Sequence, residues 1–295
     1  MAITRIGTFS AQSFVMTQIN SGMAKYVNTQ EQITTGQKTQ RYAGISDQAA
    51  LSIDLSNGKA TIDQYGKSAS TTNSRISAIH TSISDILDMV TKYRAQLLQG
   101  LTADQADDAK LDAVAEYYLK QVESSLNADL GGVYLFGGIK SDSAPVDLSD
   151  PIDNQNGTYY SGADQLMSAR VDENTVIDYG TTANRQGFKD LISSLQRVVS
   201  ASSSQTELET ALDEVNDALD DLTQLEAETG HKMSVVEQSQ ARNQAMSDTI
   251  KLQLGSIQDV DISAAMVELT QRQTILQASY SVIARTAQLT LTNYL

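Results

Sequence analysis

The chain has no cysteine, no tryptophan, two prolines and two histidines in 295 residues. Without cysteine there is no disulfide framework, no thiolate zinc site and no cysteine nucleophile. Scarcity of proline removes the commonest helix breaker and leaves room for long helices. Basic residues are also few, with 21 Lys and Arg against 36 Asp and Glu, for a net charge of -15. Phosphate recognition needs a cationic surface, so this balance argues against nucleic acid and against an anionic membrane as partner. No window approaches the ~20 apolar residues of a membrane-spanning helix, so membrane insertion is not expected. The opening MAITRIGTFSAQSFVMTQ lacks the apolar stretch and cleavage site of a signal peptide.

What the chain has in abundance is helical periodicity. Near the C-terminus, Ile262, Met266, Leu269, Leu276, Tyr280, Ile283 and Ala287 alternate steps of four and three, with Gln273 in the one polar place and Leu291 and Leu295 near the end. That is a coiled-coil seam. The N-terminus carries a similar one through Met16, Ile19, Met23, Tyr26 and Ile33, with Gln30 in the polar place. Gly36 is placed to end this helix as its C′ residue. Two terminal seams of this kind predict pairing, with each other or with other copies of the chain.

The pattern continues inward. Ala69, Thr72, Ile76, Ile79, Ile83, Ile86, Val90, Tyr93 and Leu97 form one unbroken series, followed by Leu111, Ala115, Leu119, Val122 and Leu126. Another runs from Leu208 through Leu212, Val215, Leu219, Leu222, Thr229, Met233, Val236, Ile250, Leu254 and Ile257. Its middle is polar, with Glu226, Gln240, Asn243 and Ser247 in seam places. Polar seam residues weaken packing and can fix register, or mark a face towards water or other subunits.

Residues 139–188 differ. They hold both prolines, Pro145 and Pro151, and turn signals such as Asn156-Gly157 and Tyr179-Gly180. Met167-Ser-Ala-Arg-Val and Gly157-Thr-Tyr-Tyr alternate like strands. The expected fold is therefore mainly α. It is a long antiparallel coiled-coil hairpin with paired terminal helices and a small β-rich insert at the far end. Residues 1–38 with 262–295 form a terminal coiled-coil region, 39–138 with 189–261 a long-helix bundle, and 139–188 the outer insert. Gly131-Gly132-Val133-Tyr134-Leu135-Phe136-Gly137-Gly138 lacks the lysine and following helix of a phosphate loop. Tyr134, Leu135 and Phe136 are expected instead to anchor the insert by burial.

No catalytic, cofactor or metal constellation is visible. His80 and His231 stand far apart and lack the spacing of a metal motif. The carboxylates of LDEVNDALDDL fall on outward helix faces and lack the glycine-kinked loop of a calcium site. An enzyme is not expected.

With these residues assembled, three segments resemble the bacterial flagellin superfamily, and within it the branch of hook-filament junction proteins. QEQITTGQKTQRYAGISDQAAL (30–51) looks like the family's "(S/T)TGK" segment before a long helix. GGVYLFGGIKSDSAP (131–145) is similar to the "G-Y-L-F-G/S-G" passage of junction proteins. ELTQRQTILQASYSVIARTAQLTLTNYL (268–295) resembles the shared C-terminus, which closes on an aromatic residue and leucine. The resemblance implies a structural, motility-related subunit of the flagellum, exported without a cleaved signal through the flagellar type III route and located outside the cell. It implies coiled-coil self-association through Ile19, Met23, Tyr26, Ile33, Met266, Leu269, Leu276, Tyr280, Ile283 and Leu291. Its partners would be other copies of itself, flagellin and hook-associated proteins, and an export chaperone on the C-terminal helix. RYAGISDQAA departs from the stretch filament flagellins more often show after this motif. A filament-forming flagellin remains the alternative, and a coiled-coil signalling module is the alternative of another class.

Overall fold

The computed structural model describes residues 2–102, 108–149, 159–200 and 204–292. Among them are six α-helices and one two-stranded sheet. The helices are α1 (Ala2–Thr35), α2 (Ala49–Thr102), α3 (Asp108–Leu126), α4 (Gln186–Ser200), α5 (Gln205–Gln258) and α6 (Ile262–Thr292). A 3₁₀ segment, Tyr42–Gln48, precedes α2. Strands β1 (Met167–Arg170) and β2 (Val176–Tyr179) pair antiparallel, with Met167 opposite Tyr179. The mainly α class with a small β insert is borne out.

The chain divides into two compact units, 60–247 and the terminal unit 1–59 with 248–295, and the boundary falls within α2 and α5. In the larger unit, all nine residues from Ala69 to Leu97 in the α2 series are buried. Those from Ile79 to Leu97 share a core with Leu111, Ala115, Val122 and Leu126 of α3, Phe188, Leu191, Ile192 and Leu195 of α4, and Leu208, Val215 and Leu222 of α5. Burying a large apolar side chain is worth roughly 1.5–3 kcal/mol, so this layer dominates the unit's stability. Gly100 lets Leu111 of α3 lie close against α2, because a Cβ there would collide with the leucine.

The insert does not sit beyond the ends of the long helices, as the sequence pattern had suggested. Because α3 and α4 pack on each other and run alongside α2 and α5, the chain between them emerges part-way along the long pair. Val171, Ile177 and Tyr179 pack on Ala69, Ile76 and Val236. Arg75 donates to Tyr179 Oη at 2.7 Å. Asn243 Nδ2 donates to Val171 O at 2.8 Å. A polar seam residue of α5 thus holds the insert. Ser247 Oγ, another, donates to Asp63 Oδ1 across to α2. The expected strand at 157–160 lies partly outside the described residues.

Leu135 and Phe136 are buried and Tyr134 is half-buried. Phe136 meets Phe188 edge-on, with centroids 5.8 Å apart at 89°. Its carbonyl accepts from Ala183 N at 3.0 Å. Gly138, with φ +63°, has the Ala163 carbonyl where a Cβ would stand. The segment is therefore pinned on both sides by backbone contacts that exclude side chains.

Candidate functional site

In the terminal unit α1 and α6 pack against each other. The face α1 turns inward runs Val15, Ile19, Gly22, Tyr26, Thr29 and Ile33, in which Ile19 and Thr29 are fully buried and the rest half-buried. On α6 it runs Ala265, Leu269, Arg272, Leu276, Ser279 and Ile283, in which Ala265 and Leu276 are buried. Both sets alternate four and three, as coiled-coil packing requires.

Six of the ten expected self-association residues lie on this stripe and three do not. Ile19, Tyr26, Ile33, Leu269, Leu276 and Ile283 are on it. Met23, Met266 and Tyr280 are about half exposed, at 46, 54 and 54 %. At those steps the residue one place earlier faces inward: Gly22, Ala265 and Ser279. Met16 gives way to Val15 in the same manner. Small groups let the two backbones approach, and the large residues are turned to the flank. The side chain of Leu291 lies outside the described residues.

The consequence is that large apolar side chains remain on the outer faces of the α1–α6 pair. Phe14, Met16, Met23 and Val27 on α1 and Ile262, Met266, Val267, Ile275, Tyr280 and Val282 on α6 are all exposed. A monomeric soluble protein rarely leaves apolar groups so concentrated, and such surfaces mark association sites. Charge along the pair is sparse. Arg272 pairs with Glu268 within α6, and Lys25 joins them beside a polar cleft that also takes in Gln18 and Gln271.

Nothing in the described residues gathers into a reaction centre. Among the described residues no group of three His, Asp or Glu side chains is placed to hold a metal ion, and no helix is long and apolar enough to cross a membrane. His80 is half-buried against Gly230, while His231 is exposed. The large pKa displacements belong to packing. Burial pushes Tyr160 up to about 12 and raises Tyr93 and Tyr159 as well.

Residues 212–295, which include all of α6, match the family model of the bacterial flagellin C-terminal helical region. This stretch is similar to the flagellin C-terminal region. The resemblance seen in the sequence is borne out there. No curated protein matches the chain by sequence. Among solved structures, Bacillus cereus FlgL is 18 % identical with a TM-score of 0.59, covering 68 % of this chain and 99 % of its own. Flagellar hook-associated protein-3 of Legionella pneumophila is 12 % identical with a TM-score of 0.57, covering 69 % and 98 %. A flagellar junction protein FlgL from the same organism is 11 % identical with a TM-score of 0.54, covering 69 % and 98 %. At these identities the likeness establishes the fold.

Proposed function

We propose that the chain is a structural subunit of the bacterial flagellum that joins hook to filament, and that its terminal helices drive self-association. The observation that carries this reading is the set of large apolar side chains left exposed on the outer faces of the α1–α6 pair within one chain. Side chains such as Met23, Met266 and Tyr280 then pack against neighbouring copies, while Ile19 and Leu276 hold the pair together. Head-to-tail contacts of this sort generate an open helical array or a ring. In this reading 1–38 with 262–295 line the inside of the assembly, 39–138 with 189–261 form the surrounding bundle, and 139–188 face outward. The partners are further copies, flagellin and hook-associated proteins. An export chaperone covers the apolar face of α6 before assembly, and export follows the flagellar type III route without a cleaved signal.

The test is negative-stain electron microscopy of the purified chain, first concentrated alone and then mixed with hook and filament fragments. A junction subunit stays short alone and adds only at the fragment tips. Long tubes from the chain alone would assign it to the filament-forming flagellins instead.

A further inference from the structure

The terminal unit contains two helix ends that are joined to each other. Helix α1 stops at Gly36, which has φ +72°, and α5 stops at Gln258. Gly255 lies three residues before that end, and the Asp259 carboxylate fills the place where its Cβ would stand. The end also takes donors from 218 residues away in sequence. The Lys38 ammonium donates to Ser256 O at 2.9 Å and to Ile257 O at 3.0 Å. The backbone N–H of the same residue donates to Gln258 O at 2.7 Å. The last carbonyls of a helix lack intrahelical partners and carry the negative end of its dipole. One lysine therefore supplies donors to three consecutive carbonyls at the end of α5.

The return half of the joint is equally specific. Val260 N donates to Gly36 O at 2.9 Å, completing an antiparallel bridge between Gln37 and Asp259. Gln32 Nε2 reaches past the end of α1 to the Lys38 carbonyl at 2.7 Å. Asp261 Oδ1 accepts from Ala264 N at 3.1 Å and so starts α6 afresh. Each helix end is closed by the other.

We propose that Lys38 is the key of a latch between the α1 end and the α5–α6 break, holding both breaks in one closed arrangement that opens as a unit. The latch stands independently of the assembly reading, because all its members belong to one chain.

The test is amide hydrogen exchange on the full-length chain, comparing wild type with Lys38→Met and Lys38→Arg. In the wild type the Lys38 and Val260 amides are protected and open together. Lys38→Met accelerates both by roughly five-fold or more, as removal of a cation and its hydrogen bonds from a helix end predicts. Lys38→Arg retains part of the protection. The α3 amides, in the other unit, stay unchanged and certify the fold. Unchanged exchange at Val260 in Lys38→Met would overturn the latch. So would opposite changes at the two amides, or unprotected amides in the wild type. Because exchange is read on the free chain, a failed latch and a failed junction role are distinguishable.

Discussion

Leu276 of α6 lies over the backbone of Gly22 of α1: a Cβ built on Gly22 would stand 3.2 Å from Leu276 Cδ2. The pair is a knob of leucine in a hole that exists because one residue has no side chain. It sets the register in which Ile19 and Thr29 are buried and Met23 is not.

Leu276→Asp is accordingly expected to abolish assembly while leaving the chain soluble. A charge at a site that is 7 % exposed cannot be solvated without separating α1 from α6. The larger unit does not depend on this contact and keeps its cooperative unfolding. Electron microscopy reads the first outcome and circular dichroism the second. Normal assemblies from Leu276→Asp would count against the pairing as the driving element.

How much of this was legible from the sequence depended on residue size. In α2 the large apolar groups are themselves the buried ones, from Ile76 to Leu97, and the pattern could be read off directly. In α1, α5 and α6 several inward steps are filled by a small or polar residue, such as Gly22, Ala211, Ala218, Ser239 and Ala265. Reading by hydrophobicity chose Met23, Leu212, Leu219 and Met266 instead, and the heptad count put Gln240 in the place that Ser239 takes. Close helix packing favours small residues that no apolar pattern reveals. The role of Lys38 was invisible for another reason: its acceptors are backbone carbonyls remote in sequence. The insert's position was equally hidden, because it follows from how α3 and α4 turn back.

Phe136→Ala is expected to destabilise the larger unit by roughly 3–5 kcal/mol, the range for removing a buried aromatic ring. Phe136 is wholly buried against Phe188. Tyr134→Ala, at a half-buried neighbour, should cost clearly less. Urea unfolding of the two variants checks the order. Equal losses would mean that the glycine-bounded segment anchors through its backbone alone.

Arg197 of α4 grips two carboxylates of α5. It donates from Nη2 and Nε to Glu214, at 2.7 and 3.3 Å, and from Nη1 to Glu207 at 2.8 Å. These bonds, Glu214 first, raise the guanidinium pKa further. Lysine has no planar fork, so Arg197→Lys should cost about 1 kcal/mol. Arg197→Met should cost more, by stranding Glu214, which is the least exposed of the three side chains. Thermal unfolding in low and high salt separates the terms. The part lost by Arg197→Lys is geometric and should persist in salt.

Asp190 gives the pH-dependent outcome. It sits on α4, where burial raises its pKa above the usual value. Asp221, Asp217 and Glu214 on α5 push the same way, and Gln186 Nε2, 2.7 Å from Oδ1, opposes them. A carboxylate whose folded pKa is raised binds its proton more tightly in the native state. Its favourable contribution is present when protonated, below the unfolded value, and is lost as pH rises through the folded value. Asp190→Asn keeps an acceptor for Gln186 and removes the charge. It should therefore raise the melting temperature at neutral pH. That gain should shrink as the pH falls through the carboxylate range, where wild-type Asp190 is itself neutral. A gain that stayed constant down to low pH would show that the substitution acts through packing and not through charge.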